Sequence, residues 1–140
     1  MSFGIRDQST LPPCVDKSGR TILVADDTPA VLAFVAEFLH RTGYHVLQAG
    51  DGVEALEVAA QHTGQIDLLL TDIEMPRLNG RALSRTLSHR RPETRTLFMS
   101  GHLNTGLARG TPFLAKPFVG RDLLCKVSEV LESRVAARPA

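Results

Sequence analysis

Ile66-Asp67-Leu68-Leu69-Leu70-Thr71 is a short, mostly apolar run that ends in an acid, Asp72. Three other runs are built alike. Ile22-Leu23-Val24-Ala25 ends in Asp26-Asp27, Leu97-Phe98-Met99 ends in Ser100, and Phe113-Leu114-Ala115 ends in Lys116-Pro117. Runs of this kind suit strands buried on both faces, as in a parallel sheet. In an open parallel α/β sheet the carboxyl ends of the strands share one edge, and ligands bind there. Read as parallel strands, the runs bring three carboxylates, a hydroxyl and an ammonium to one crevice. That combination is a cation site with a phosphate site beside it.

Helical patterns fill the intervals. After Thr21–Ala25, Asp27-Thr28-Pro29 supplies a capping residue and a proline for a first turn. The spacing then predicts a helix with Val31, Phe34, Val35 and Phe38 inward. Gly43 stops it, and Tyr44–Ala49 is the second strand. Gly50-Asp51-Gly52 turns the chain into a second helix marked by Val53, Leu56, Val58 and Ala59. Ile66–Thr71 is the third strand, and a third helix turns Ala82, Leu83 and Leu87 inward. Thr96–Met99 and Phe113–Ala115 are the fourth and fifth strands. Between them, Gly101 to Gly110 is glycine-rich and reads as loop with at most one weak helical turn. The last helix carries Leu123, Leu124, Val127, Val130 and Leu131 on one face. Strands alternating with helices imply right-handed crossovers and helices on both faces. The expected fold is α/β, a flavodoxin-like doubly wound sandwich on a five-stranded parallel sheet in the order 2-1-3-4-5.

The chain has 140 residues, enough for one domain with a sizeable core. A net charge of +1 makes no electrostatic case for a nucleic-acid or membrane surface. No run approaches the ~20 apolar residues of a membrane span; the longest, Val31 to Leu39, is interrupted by Glu37. Residues 1–19 have no apolar signal core, carry Pro12-Pro13, and read as a mobile extension. The domain spans 20–132, and 133–140 reads as a frayed tail. Two cysteines far apart, Cys14 and Cys125, argue against a disulfide framework and fit a cytoplasmic setting. Cys125 reads as a small core hydrophobe on the last helix.

Adjacent carboxylates repel unless a cation sits with them, and an all-oxygen set suits Mg²⁺. One of Asp26 and Asp27 could cap a helix, but a cap does not need both. Asp72 is the candidate nucleophile, because a carboxylate beside a cation can attack phosphorus and form an acyl phosphate. Lys116 suits neutralisation of the phosphoryl oxygens, and the X-Pro bond after it can be cis and fix its direction. Ser100 can donate to a phosphoryl oxygen or cap a turn.

From about Thr21 to Leu131 the chain resembles a response-regulator receiver domain of two-component signalling. The resemblance rests on Asp26-Asp27, on Thr71-Asp72-Ile73-Glu74-Met75-Pro76-Arg77-Leu78-Asn79-Gly80, on Met99-Ser100-Gly101, and on Phe113-Leu114-Ala115-Lys116-Pro117-Phe118. The wording is most similar to receivers of hybrid histidine kinases, and free-standing receivers share it. The resemblance implies that Asp72 takes a phosphoryl group from a phosphohistidine on a sensor histidine kinase or histidine phosphotransfer protein. It implies Mg²⁺ held by Asp27 and Asp72, by Asp26 directly or through water, and by the backbone carbonyl of Glu74. It makes Ser100 and Phe113 the switch residues, and Glu74 and His102 the residues that tune the acyl phosphate's lifetime. It marks the chain as a signalling phosphoacceptor rather than a turnover enzyme, a monomer or weak dimer, without a nucleic-acid or membrane partner. The interval from Ser100 to Lys116 is shorter than usual for the family, so the fourth helix is expected to be shortened or absent. No output domain is expected, because only nine residues follow Leu131.

Two other functions stay in view. A haloacid-dehalogenase-type phosphatase also uses Mg²⁺, an aspartate and a lysine, but resembles a first strand ending in Asp-x-Asp. A receiver-like adaptor working without phosphorylation would fit the short segment after Ser100. His40, His45, His62 and His89 have no metal-ligand spacing and read as surface residues. Arg85, Arg90, Arg91 and Arg95 read as a solvated face, and there is no P-loop or G-x-G-x-x-G.

Overall fold

A computed structural model describes residues 19–102 and 105–133. The expected extension at 1–19, apart from Gly19, and the tail at 133–140, apart from Ser133, lie outside the described residues. The elements run β1 (Thr21–Ala25), α1 (Pro29–Arg41), β2 (His45–Ala49), α2 (Gly52–Gln61), β3 (Leu68–Asp72), α3 (Gly80–Arg90), β4 (Arg95–Ser100), β5 (Phe113–Ala115) and α4 (Gly120–Glu132). All strand pairs are parallel, in the order β2-β1-β3-β4-β5. This is the flavodoxin-like sandwich expected from the alternating pattern.

β1, β2 and β3 feed two cores, one on each face, which is why the β1 and β3 runs read as continuously apolar. Ile22, Val24, Leu68, Leu70, Leu97 and Met99 point to the face covered by α1 and α4. Leu23, Ala25 and Leu69 point to the face covered by α2 and α3, among Ala55, Ala59, Leu83 and Leu87. Each buried leucine contributes roughly 1.5–3 kcal/mol through apolar surface removed from water. Gly43, at φ 109°, ends α1 in a conformation that favours glycine. Among the described residues no helix is long and apolar enough to cross a membrane.

Several expectations are corrected. The α1 stripe is rotated: Val35, Ala36 and Leu39 are buried, while Phe34 is 44% exposed and stacks on Phe38 at 6.1 Å. Cys125 is exposed, because α4 turns Leu124 and Val127 inward instead. β3 begins at Leu68, with Ile66 buried just before it. A fourth helix in chain order is present, α4. It is the β4–β5 connection whose described residues, 101–102 and 105–112, carry no helix. Arg91 and Arg95 are not part of a solvated face. Arg91 donates to the carbonyls of Ala59, His62 and Gly64 at the end of α2, and Arg95 to those of Val130 and Leu131 at the end of α4. Both guanidiniums satisfy carbonyls that a helix end leaves without an intrahelical donor.

Candidate functional site

The parallel register decides which side chains meet. Ala25 pairs with Thr71, Asp72 with Met99, and Ser100 with Ala115. The residues at or just past these positions therefore share the carboxyl edge of the sheet. Asp26 follows β1, Asp72 closes β3, Ser100 closes β4 and Lys116 follows β5.

Asp26, Asp27 and Asp72 each bring a carboxylate oxygen to within 4.8 Å of the others. Asp26 is fully buried and Asp27 is exposed. The two acids thus divide the work. Asp26 Oδ1 accepts from the Thr28 N–H at 2.9 Å and steers the entry to α1, whose N-cap is Thr28 rather than Asp27. Asp26 Oδ2 accepts from Lys116 Nζ at 2.9 Å. The same ammonium stands 3.7 Å from Asp72 Oδ1. The Lys116–Pro117 bond is cis.

Three carboxylates against one ammonium leave the crevice short of positive charge. The Asp72 carboxyl is raised from its ordinary value, first by burial and further by the charges of Asp26 and Asp27. Lys116 and the Ile73 N–H pull it back without cancelling the rise. An all-oxygen donor set with surplus negative charge, open to solvent at Asp27, fits a hard divalent cation such as Mg²⁺.

Glu74, Ser100 and His102 share one cavity just past Asp72, whereas the expected switch residue Phe113 does not join them. Ser100 is buried, and its Oγ accepts from the His102 N–H at 3.0 Å, so it also serves as a turn residue. Glu74 and His102 are both exposed and meet at 3.0 Å, His102 Nε2 to Glu74 Oε1. They line a cavity of about 210 Å³ with Arg81, Ser100 and Thr105. Phe113 is half-buried and lines a separate groove with Lys126 and Val130.

Three features of the site escaped the sequence. Gly106, at φ 72°, lies over Arg81, where a Cβ would come 2.6 Å from Nη2. Gly80 packs on the Asp72 carbonyl, where a Cβ would come 2.1 Å from the oxygen. Arg77 Nε and Nη2 reach Asp51 Oδ2 at 3.1 and 2.9 Å. Gly80 stands at a helix start and Gly106 in the glycine-rich interval after Ser100, and those positions were the available signal. Nothing local links Arg77 to Asp51, 26 positions apart.

Comparison with known proteins agrees with this arrangement. A family model for the response regulator receiver domain matches residues 22–128. The sensor kinase CckA of Brucella abortus is 36% identical over an alignment of 126 positions that covers 85% of this chain but 13% of that protein. The response regulator receiver protein CpdR of the same organism is 31% identical over an alignment of 118 positions that covers 80% of this chain and 97% of that protein. The crystal structure of the receiver domain from the hybrid histidine kinase CckA superposes with a TM-score of 0.71 at 35% identity. It covers 80% of this chain and 99% of that one. With the family model matched over most of its length, this chain belongs to the response-regulator receiver domains of two-component signalling.

Proposed function

We propose that this domain is the phosphoacceptor of a two-component or phosphorelay system, with Asp72 as the residue phosphorylated. The observation that carries the reading is Lys116 Nζ, held 2.9 Å from Asp26 and 3.7 Å from Asp72 beside a three-carboxylate cluster. An Asp72 carboxylate oxygen attacks the phosphorus of a phosphohistidine on a sensor histidine kinase or histidine phosphotransfer protein. The phosphorus–nitrogen bond breaks, and the imidazole nitrogen leaves with the electron pair and takes up a proton. Lys116 turns from Asp26 toward the transferred oxygens, and Ser100 donates its hydroxyl to one of them. Asp26, Asp27, Asp72 and the Glu74 carbonyl are the groups that would hold Mg²⁺. Bound there, Mg²⁺ supplies positive charge against the carboxylates and the phosphoryl oxygens.

Phosphorylation then acts on the segment after Ser100, since the His102 N–H is bonded to the Ser100 hydroxyl that would move. Glu74 and His102, paired over the crevice, set the access of water and so the lifetime of the acyl phosphate. The exposed Phe34, with Phe38 against Gly120 and the exposed Val119, offers an apolar surface for the phosphodonor protein. With a kinase partner of this kind, the domain would work in the cytoplasm.

The test is intact mass and backbone NMR with Mg²⁺ and a small acyl-phosphate donor. The expected result is one added phosphoryl group in the wild type, none in Asp72→Asn, and shifts at Asp27, Asp72 and Ser100. Unchanged uptake by Asp72→Asn would move the acceptor elsewhere. No uptake by the wild type would leave a phosphorylation-independent adaptor.

A further inference from the structure

We propose that Asp51 and Arg77 form a clamp that sets the shape of the β3–α3 loop and thereby the affinity of the cation site. They are positioning residues, not ligands. The inference rests on the reading of the acid cluster as a Mg²⁺ site.

The loop, residues 73–79, is folded tightly. Gly80 N–H donates to the Ile73 carbonyl at 2.7 Å and closes it at its far end. Leu78 N–H donates to the Pro76 carbonyl at 2.7 Å, two residues back, with Arg77 between them at φ 70°. Those are the features of the strained, positive-φ form of the γ-turn. Arg77 is the one non-glycine residue with positive φ among the described residues. A glycine would adopt this conformation without strain. The residue that stands there is an arginine, and its side chain is employed.

That side chain reaches the start of α2. Arg77 Nε and Nη2 grip both oxygens of Asp51 as a fork, at 2.9 to 3.1 Å. Asp51 is itself fixed, because Oδ1 caps α2 by accepting the Glu54 N–H at 2.8 Å. Beside it, Gly52 lies so close to the loop that a Cβ would come 2.2 Å from the Leu78 carbonyl oxygen. The loop is thus seated on α2 by a close backbone approach and locked by the fork.

An exposed ion pair adds little to stability, and Arg77 is more than half exposed. The fork's value lies in geometry instead. The loop it holds begins right after Asp72 and contains Glu74, whose carbonyl is the backbone ligand of the proposed site. Strain held by surrounding contacts beside a reactive group is a recurrent form of preorganisation.

The test separates positioning from folding. Arg77→Gly removes the fork and relieves the strain, so its melting temperature should equal or exceed that of the wild type. Its Mg²⁺ affinity, read by NMR titration of the full chain, should fall about tenfold, as for groups that orient metal ligands from outside. Amide exchange at 73–80 should quicken in the metal-free protein. Asp51→Asn, which keeps a capping side chain, should reproduce the affinity loss, and the double variant should add nothing to it. Wild-type affinity and exchange in Arg77→Gly would overturn the clamp alone. A wild type that shows no Mg²⁺ response would overturn the site reading and the clamp with it.

Discussion

Lys116 reaches across 90 positions of sequence to set its ammonium 2.9 Å from Asp26, a carboxylate with no exposed surface. Its removal leaves that charge buried without its cation. Lys116→Met should cost roughly 2–3 kcal/mol in the metal-free protein, less than the ~3–5 of a fully enclosed pair because Lys116 is 20% exposed. Chemical denaturation checks this. Added Mg²⁺ should recover part of the loss, while phosphoryl uptake should stay suppressed.

Asp72 and Asp51 should respond to pH in opposite senses. The folded pKa of Asp72 is raised above 3.8, mainly by burial, so the folded state holds that proton more tightly than the unfolded chain. Its favourable contribution is complete below 3.8 and lost as pH rises through the folded value. Asp72→Asn should therefore melt higher than the wild type at neutral pH without metal, and the gap should close in acid. The folded pKa of Asp51 is lowered, first by the Glu54 N–H, with the Arg77 pair adding to it. Its contribution is present above 3.8 and lost as pH falls through the lowered value. Asp51→Asn should melt lower at neutral pH, and that gap too should close in acid. Thermal melts from pH 3 to 8 in chelator test both signs.

Gly80 opens α3, yet alanine there should destabilise. Helix propensity favours alanine over glycine by about 1 kcal/mol. The new Cβ would lie 2.1 Å from the Asp72 carbonyl oxygen, which is backbone and moves only by displacing the end of β3. Overpacking of this kind costs about 1–3 kcal/mol or more, so steric cost outweighs propensity. Gly80→Ala should lose about 2 kcal/mol net by denaturation and weaken Mg²⁺ binding, because Asp72 must shift. A variant as stable as the wild type would show that the loop yields freely.

Arg95 closes the carboxyl end of α4 from the first position of β4. Arg95→Met keeps the aliphatic stem and deletes the donors. The last-turn carbonyls can turn to water, so the loss should be about 1–2 kcal/mol. Hydrogen exchange should quicken at Val130 to Ser133 and stay unchanged across β1 and β3.

The sheet was legible from strand runs alternating with helical patterns, and the polar edge because four of the five runs end in a residue that chemistry explains. Asp26, Asp72, Ser100 and Lys116 could be placed without any contact information, since parallel strands line up their carboxyl ends. What stayed hidden depends on rotation and distance. Phe34 and Leu39 both fit a helical stripe, and only packing against α4 decides that Leu39 is inside. Cys125 lies beside Leu124, and one residue of rotation carries it outward. Arg91 and Arg95 look like surface charge until the helix ends beneath them are placed. The Asp51–Arg77 fork joins two loops that no periodicity relates.

The reactive edge has one further consequence, which concerns when in its life the chain becomes competent. Its groups come from the ends of β1, β3, β4 and β5, so no local segment contains the reactive centre. A nascent or locally opened chain that has not yet docked β5 has the aspartate but lacks its ammonium. On the proposed reading, uptake at Asp72 requires the ends of those four strands together, while β2 lends the edge no group. A copy with β4 or β5 undocked would then stay silent, and the pathway would need no separate inspector to ignore it.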